Sequence, residues 1–199
     1  MRELELKAVV PDVDAARERL LRHGATRHEA GAQRDRRYDT AERRLRARDV
    51  VLRIREFTDA GDGAARASLD WKGAAKFDSG YKEREELSLG IADAATASRI
   101  LERLGFTVSF EIEREVEVFH IHGAVVRFER YAQMDPLVEV EGAPAAIELA
   151  IASLGIARER FTTERLSDFA RAYEERTGLR AAVSSAELAL PDIYARDDA

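Results

Sequence analysis

Charged and apolar residues alternate over long stretches of this chain, with the period of a β-strand. Residues 2–10, RELELKAVV, alternate before relaxing to an apolar end, and a period of two predicts a strand. Pro11-Asp12 breaks it. Over residues 12–23, Val13, Ala16, Leu20 and Leu21 fall at helical spacing behind an Asp able to cap, and Gly24 ends the run. Residues 26–39 predict a polar strand leading into a turn, and 41–48 a short helix or loop. Strands over 50–57 and 66–72 flank a hairpin loop at 59–64 that is rich in Gly and Asp. Residues 73–80 read as another loop and 81–89 as a third strand. A helix follows over 93–104. Strands over 106–121 and 124–131 meet at a turn at His122-Gly123, and a short strand covers 137–142. Helices are expected over 145–155 and 163–177.

Strands dominate the middle, with helices inserted between them. That order predicts an antiparallel α+β protein rather than alternating βαβ units. No linker separates two domains, so one domain is expected over 1–178. Residues 179–199 form a tail, helical in part or frayed. The 199 residues carry 35% charged side chains, above the usual quarter, and a net charge of −6. The negative balance argues against a nucleic-acid partner. With no cysteine, disulfides, thiolate metal sites and cysteine nucleophiles are excluded. The chain enters its first strand without an apolar leader, and no apolar run has the length of a membrane span. A soluble cytoplasmic protein with no membrane partner is expected.

Where the charges point decides more. Side chains of a strand alternate between two faces. Glu3, Glu5 and Lys7 therefore share a face opposite Leu4, Leu6 and Ala8. Arg53 and Arg55 oppose Leu52 and Ile54, while Asp70 and Lys72 oppose Leu69 and Trp71. Lys82, Arg84 and Glu86 share a face, as do Arg127 with Glu129 and Glu139 with Glu141. A sheet with one face in water would give this pattern. Solvated strand faces are usually mixed, however, and these are nearly all Glu, Arg and Lys. Like charges two apart also repel unless something of opposite sign lies between them. A closed barrel answers both points, with charges turned into a wet lumen and apolar faces outward under the helices. Paired carboxylates suit Mg²⁺ or Mn²⁺, and the arginines and lysines suit phosphate oxygens. Together they imply a polyanion that carries its own metal.

Glu3-x-Glu5-x-Lys7 resembles the ExExK motif of the CYTH superfamily, the triphosphate tunnel metalloenzymes. Later segments follow the family's order. Leu52-Arg53-Ile54-Arg55 resembles its LRxR strand, Trp71-Lys72-Gly73 its xKG strand end and Arg84-Glu85-Glu86 its RxE strand. Leu137-Val138-Glu139-Val140-Glu141-Gly142 resembles its closing ExE strand. The resemblance covers about residues 1–175 and implies an eight-stranded antiparallel β-barrel, a triphosphate tunnel with helices outside. By the same resemblance Glu3, Glu5, Glu139 and Glu141 are metal carboxylates, joined by Glu129 where the family usually has an Asp. Lys7, Arg53, Arg55, Lys72 and Arg84 become phosphate contacts, with Arg114 from the KxR strand and Arg127 beside Glu129. Ile112 stands where the KxR lysine belongs. Glu5, Lys7, Arg55 and Glu139 are the expected catalytic set. The "PLVEVEG" ending is similar to the class IV adenylyl cyclase-like branch, implying conversion of ATP to cyclic AMP and pyrophosphate. The alternatives are an inorganic or thiamine triphosphatase in the same fold, and a non-catalytic nucleotide- or polyphosphate-binding module. The implied partners are Mg or Mn and a triphosphate (ATP, tripolyphosphate or thiamine triphosphate), with a homodimer left open.

Other residues weigh less. His120 and His122 share a strand face but lie near a turn, which favours exposed tip residues over metal ligands. Trp71, Tyr38 and Tyr131 read as structural, though either tyrosine could reach a nucleobase. Arg34-Asp35-Arg36-Arg37 fits a tunnel mouth or a solvated loop. The glycines at 61, 63 and 73 read as hairpin turns rather than a phosphate-binding loop.

Overall fold

The computed structural model describes residues 2–78 and 80–189, including the side chains of all of these except Arg2, Glu3 and Asp78. Its strands are β1 (Arg2–Val9), β2 (Thr26–Asp39), β3 (Val51–Asp59), β4 (Ala65–Lys72), β5 (Lys76–Asp78), β6 (Tyr81–Ile91), β7 (Thr107–Ile121), β8 (Ala124–Tyr131) and β9 (Leu137–Glu141). They pair antiparallel in the order β1-β9-β8-β7-β2-β3-β4-β6, and β6 pairs back onto β1. This makes a closed eight-stranded barrel. The short β5 pairs with β6 just beyond β4, so it continues that edge after a break. The stretch expected to be a plain loop over 73–80 is therefore partly strand. Gly73 is no hairpin turn: its N–H donates to the Glu85 carbonyl at 2.9 Å, holding the chain against β6.

The seam between β1 and β6 is short, from Arg2↔Glu85 to Glu5↔Lys82. Beyond it, Lys7 exchanges two backbone hydrogen bonds with Thr162, at 2.9 and 2.8 Å, so the remaining edge of β1 is satisfied.

Five helices pack on the barrel: α1 (Val13–Arg22), α2 (Ala94–Arg103), α3 (Pro144–Leu154), α4 (Leu166–Thr177) and α5 (Ser185–Leu188). Their ends follow the sequence signals. The Asp12 carboxylate accepts from the Ala15 N–H at 2.9 Å, Asp93 caps α2 in the same way, and Gly155 ends α3 with φ +69°. α1 and α3 bury Leu20, Ile147, Ile151 and Leu154 against the outward residues Leu6, Ala8, Phe119, Val126, Phe128, Val138 and Val140. Each such large side chain contributes about 1.5–3 kcal/mol on burial. α2 covers Tyr38 and Ile54. α4, with Ala181 and Val183, packs on inward residues at one barrel end: Val9, Ile112 and Leu137. No helix among the described residues is long and apolar enough to cross a membrane.

One glycine is demanded by close approach. A Cβ at Gly31 would lie 2.1 Å from the Thr58 carbonyl oxygen and 2.9 Å from the Phe57 ring. Gly31→Ala is expected to destabilise the barrel by about 1–3 kcal/mol, as overpacking does. A urea midpoint equal to that of the parent protein would contradict this.

Candidate functional site

The inward faces of the strands meet in a lumen lined by charge. Register brings the carboxylates together, since Glu5 pairs with Glu141 and Lys7 with Glu139 across β1 and β9. One carboxylate oxygen from each of Glu5, Glu139 and Glu141 lies within 4.8 Å of the others. Cations already serve this trio. The Lys7 Nζ is 3.3 Å from Glu5 and ion-paired with Glu139, Lys82 is ion-paired with Glu5, and Arg127 lies 3.7 Å from Glu139. Burial alone would raise the Glu139 pKa, but Lys7 above all outweighs it and holds the carboxyl well below the usual range. Glu5 is lowered on the same balance. Burial would lower Lys7, but Glu139 and Glu5 raise it well above an ordinary lysine, so its ammonium stays charged.

The sequence placed Glu3 and Glu129 with this trio. The Glu3 side chain lies outside the described residues; its backbone pairs with Arg84. Glu129 faces the lumen from β8 with its carboxylate engaged elsewhere. It is ion-paired with Arg114, whose Nε lies 2.9 Å away, and accepts from the Tyr131 hydroxyl at 2.5 Å.

The cations meet around a residue to which the sequence reading gave no role. Asp35, on β2, is 1% exposed and opposite Arg55 in register. Its carboxylate accepts from Arg55 Nε at 2.7 Å and Nη2 at 2.9 Å, from Arg114 Nη2 at 3.1 Å and from Arg53 Nη1 at 3.4 Å. Burial would raise its pKa, but the Arg53, Arg114 and Arg55 guanidiniums hold it well below the usual range. Asp70 takes Arg53 Nε at 2.8 Å and the Ser88 hydroxyl at 2.7 Å. Lys72 pairs with Glu86 at 2.5 Å, and Arg84 with Asp49 at 2.9 Å. The lumen thus holds both signs, almost entirely as internal pairs. A polyanion arriving with a metal cation brings both signs, so its oxygens can take up the arginines and lysines while the cation takes up the carboxylates.

Arg34-Asp35-Arg36-Arg37 is therefore part of the strand expected over 26–39 and not a solvated loop. Asp35 and Arg37 face inward. Arg34 and Arg36 face outward, pairing with Glu111 at 2.9 Å and Glu56 at 2.8 Å. Charge on both faces of β2 hid its period. The usable signal was the alternation Gln33, Asp35, Arg37 within a long polar strand. Lys82 was placed on the right face but given no role. Tyr38 is buried under α2 and donates to Ser98 at 2.8 Å, while Tyr131 faces the lumen. His120 and His122 share no strand face. His122 occupies the turn at φ 53° and reaches Ser153, and His120 stacks on His28 at 4.8 Å.

The model of the CYTH domain family matches residues 1–173. No curated protein matches the chain. Among solved structures, a protein from Pyrococcus horikoshii superposes with a TM-score of 0.69 at 23% identity, covering 82% of this chain and 94% of its own. A candidate adenylate cyclase from Vibrio parahaemolyticus gives 0.70 at 17% identity, covering 84% and 96%. A candidate adenylyl cyclase from Hippeastrum, for which a dominant triphosphatase activity is described, gives 0.58 at 20%, covering 88% and 96%. At these identities the likeness is one of fold.

Proposed function

The chain belongs to the CYTH domain family, matched over residues 1–173, and from that premise we propose that it is a metal-dependent enzyme that hydrolyses a triphosphate held in the barrel lumen. One observation carries the reading: three carboxylates converge beside a cluster of arginines and lysines inside a closed barrel. A binding module for phosphate alone would need mostly bases.

Glu5, Glu139 and Glu141 fit a hard divalent cation, because all three offer oxygen and lie close enough to share one ion. Mg²⁺ or Mn²⁺ bound there would neutralise phosphate charge and lower the pKa of a bound water. The remaining work is positioning and electrostatics, which dominate phosphoryl transfer. Arg53, Arg55 and Arg114, oriented by Asp35, are read as the phosphate cradle, with Arg127, Lys72 and Arg84 around it. Lys7, held in its charged form by Glu139 and Glu5, is suited to offset charge on the phosphoryl oxygens. Glu129 is read as the holder of Arg114 rather than as a metal ligand.

Cyclisation of ATP is the second reading, in line with the resemblance to class IV adenylyl cyclases. It needs a place for a base and sugar. The Phe57 and Phe110 rings lie under Arg66 at 3.9 Å and Arg37 at 5.4 Å, and the Tyr131 hydroxyl binds Glu129, whereas Phe77, opposite Lys82 in register, is 63% exposed and open to a base. Hydrolysis is put first because it needs only water and the phosphates. The Hippeastrum neighbour, a candidate cyclase with a dominant triphosphatase activity, offers a parallel.

The test is product analysis. The purified protein is incubated with tripolyphosphate, thiamine triphosphate and ATP, each with Mg²⁺ or Mn²⁺. Orthophosphate from tripolyphosphate is the expected product. Cyclic AMP with pyrophosphate from ATP would replace this reading with the cyclase, and absence of turnover on all three would end the enzyme reading.

A further inference from the structure

Within the lumen, Arg37 stands apart. It lies on β2, opposite Arg53 on β3 and Phe110 on β7. Each of the other described lumen cations has a carboxylate partner: Lys7 and Arg127 share Glu139, Lys82 has Glu5, Arg66 has Glu29, and the rest pair as given above. The Arg37 guanidinium has no ion pair or hydrogen bond among the described residues. Its Nε is enclosed and without a partner, and its one recorded contact is the Phe110 ring at 5.4 Å. The enclosed Nε atoms of Arg36, Arg84, Arg114 and Arg127 also lack a hydrogen bond, but each of those residues is anchored by a carboxylate, Glu56, Asp49, Asp35 and Glu139 respectively, so Arg37 differs in having no anion rather than in its Nε.

Arg37 is half-buried, with its Nε fully enclosed, and drawing a guanidinium even partly out of water without an anion is costly, since desolvation is not recovered. The surroundings add to the cost. Burial, then the neighbouring Arg53, lower the Arg37 pKa to about 10, with Arg114 acting the same way and Asp35 only partly opposing. It remains a cation at neutral pH. A packed barrel that keeps such a group is arranged for an anion that arrives from outside.

We propose that Arg37 is a phosphate-binding residue of the lumen, contributed by β2, which donates to phosphoryl oxygens of the ligand alongside the arginines held by Asp35. This rests on the triphosphate reading above and adds a strand to the site that none of the family motifs quoted for this chain covers. Arginine suits the task because its planar fork meets two phosphate oxygens at once. A structural role through Phe110 alone would be a cation–π contact, which needs no unfilled Nε.

The experiment compares the parent protein with Arg37→Met and Arg37→Lys, by thermal unfolding and by calorimetric titration with tripolyphosphate and Mg²⁺. For Arg37→Met the ligand-free melting temperature is expected to hold or rise, because a partly desolvated charge without an anion is gone. Its tripolyphosphate Kd is expected to weaken by about tenfold or more, and its ligand-induced thermal shift to shrink. Arg37→Lys should recover part of both losses, as a point charge without the fork. An Arg37→Met protein that folds and binds within about twofold of the parent overturns the proposal. So does one that is unfolded without ligand, which would make the guanidinium structural. If the parent itself fails to bind tripolyphosphate, the triphosphate reading falls and takes this one with it. Parent binding with an unimpaired Arg37→Met sinks Arg37 alone.

Discussion

Glu139→Gln is expected to lower tripolyphosphate turnover by about 100-fold or more and to raise the Mn²⁺ concentration needed for half-maximal rate. Removing even an outer partner of a metal ligand commonly costs about 10–100-fold, and Glu139 is proposed above as a direct ligand. It is 6% exposed and stands at the centre of the acidic trio, touched by Lys7 and Arg127. The amide keeps the shape but loses the charge that both a cation and Lys7 require. Folding should suffer less than activity, since Lys7 retains Glu5 at 3.3 Å. Rates within about threefold of the parent at saturating metal would remove Glu139 from the site.

Asp35→Ala is expected to be among the most destabilising substitutions in the protein, by about 3–5 kcal/mol, because it strips the shared anion from three enclosed guanidiniums. Arg53 keeps Asp70 and Arg114 keeps Glu129. Arg55 is left without a carboxylate, although its guanidinium gives Asp35 two of its bonds. For a chain of this size, that corresponds to a fall in melting temperature of about 6–20 °C. The pH dependence has a defined sign. The Asp35 pKa is depressed on folding, so its stabilisation is fully present above its unfolded pKa near 3.9 and is lost as pH falls through the folded value. The parent should therefore lose stability on acidification below about pH 4, and Asp35→Ala should lose less over the same interval. Urea midpoints measured from pH 3 to 7 would show this. A loss under about 1 kcal/mol at pH 7 would mean that the three arginines find other partners.

The barrel and half of its lining were legible where one strand face is charged and the other apolar. β1, β3 and β9 are such strands, and there the alternation alone turned Glu5, Lys7, Arg53, Arg55, Glu139 and Glu141 to one side. β2 defeats that rule. Its outward face carries Arg34 and Arg36, and β7 opposes them with Glu111 and Glu113, so no apolar stripe marks which side is in. Alternation groups Asp35 and Arg37 on one face, but that this face is the inner one becomes visible only through register with Arg55 and Arg53, a relation between strands about twenty residues apart. Glu129 shows another limit. Its inward direction followed from period two, but its engagement with Arg114 and Tyr131 depends on side-chain reach that spacing does not encode. The β5 strand was missed because three residues beyond a glycine carry no period of their own.

The cover on the barrel end bears on where this chain can be shortened. The family match stops at residue 173, within α4. Yet Ala181, Ala182 and Val183 are at most 1% exposed, and Ala182 exchanges two backbone hydrogen bonds with Gln133, at 2.9 and 2.8 Å. A truncation placed at the limit of the sequence match would split α4 and strip those residues from Ile112, Met134 and Leu137. Apolar surface meant for the interior would then face water, inviting self-association. Glu187 accepts from the Val183 N–H at 2.8 Å and the Ser185 N–H donates to Glu113 at 2.8 Å, so an expression boundary for this fold belongs after α5, whatever the extent of the recognisable motif.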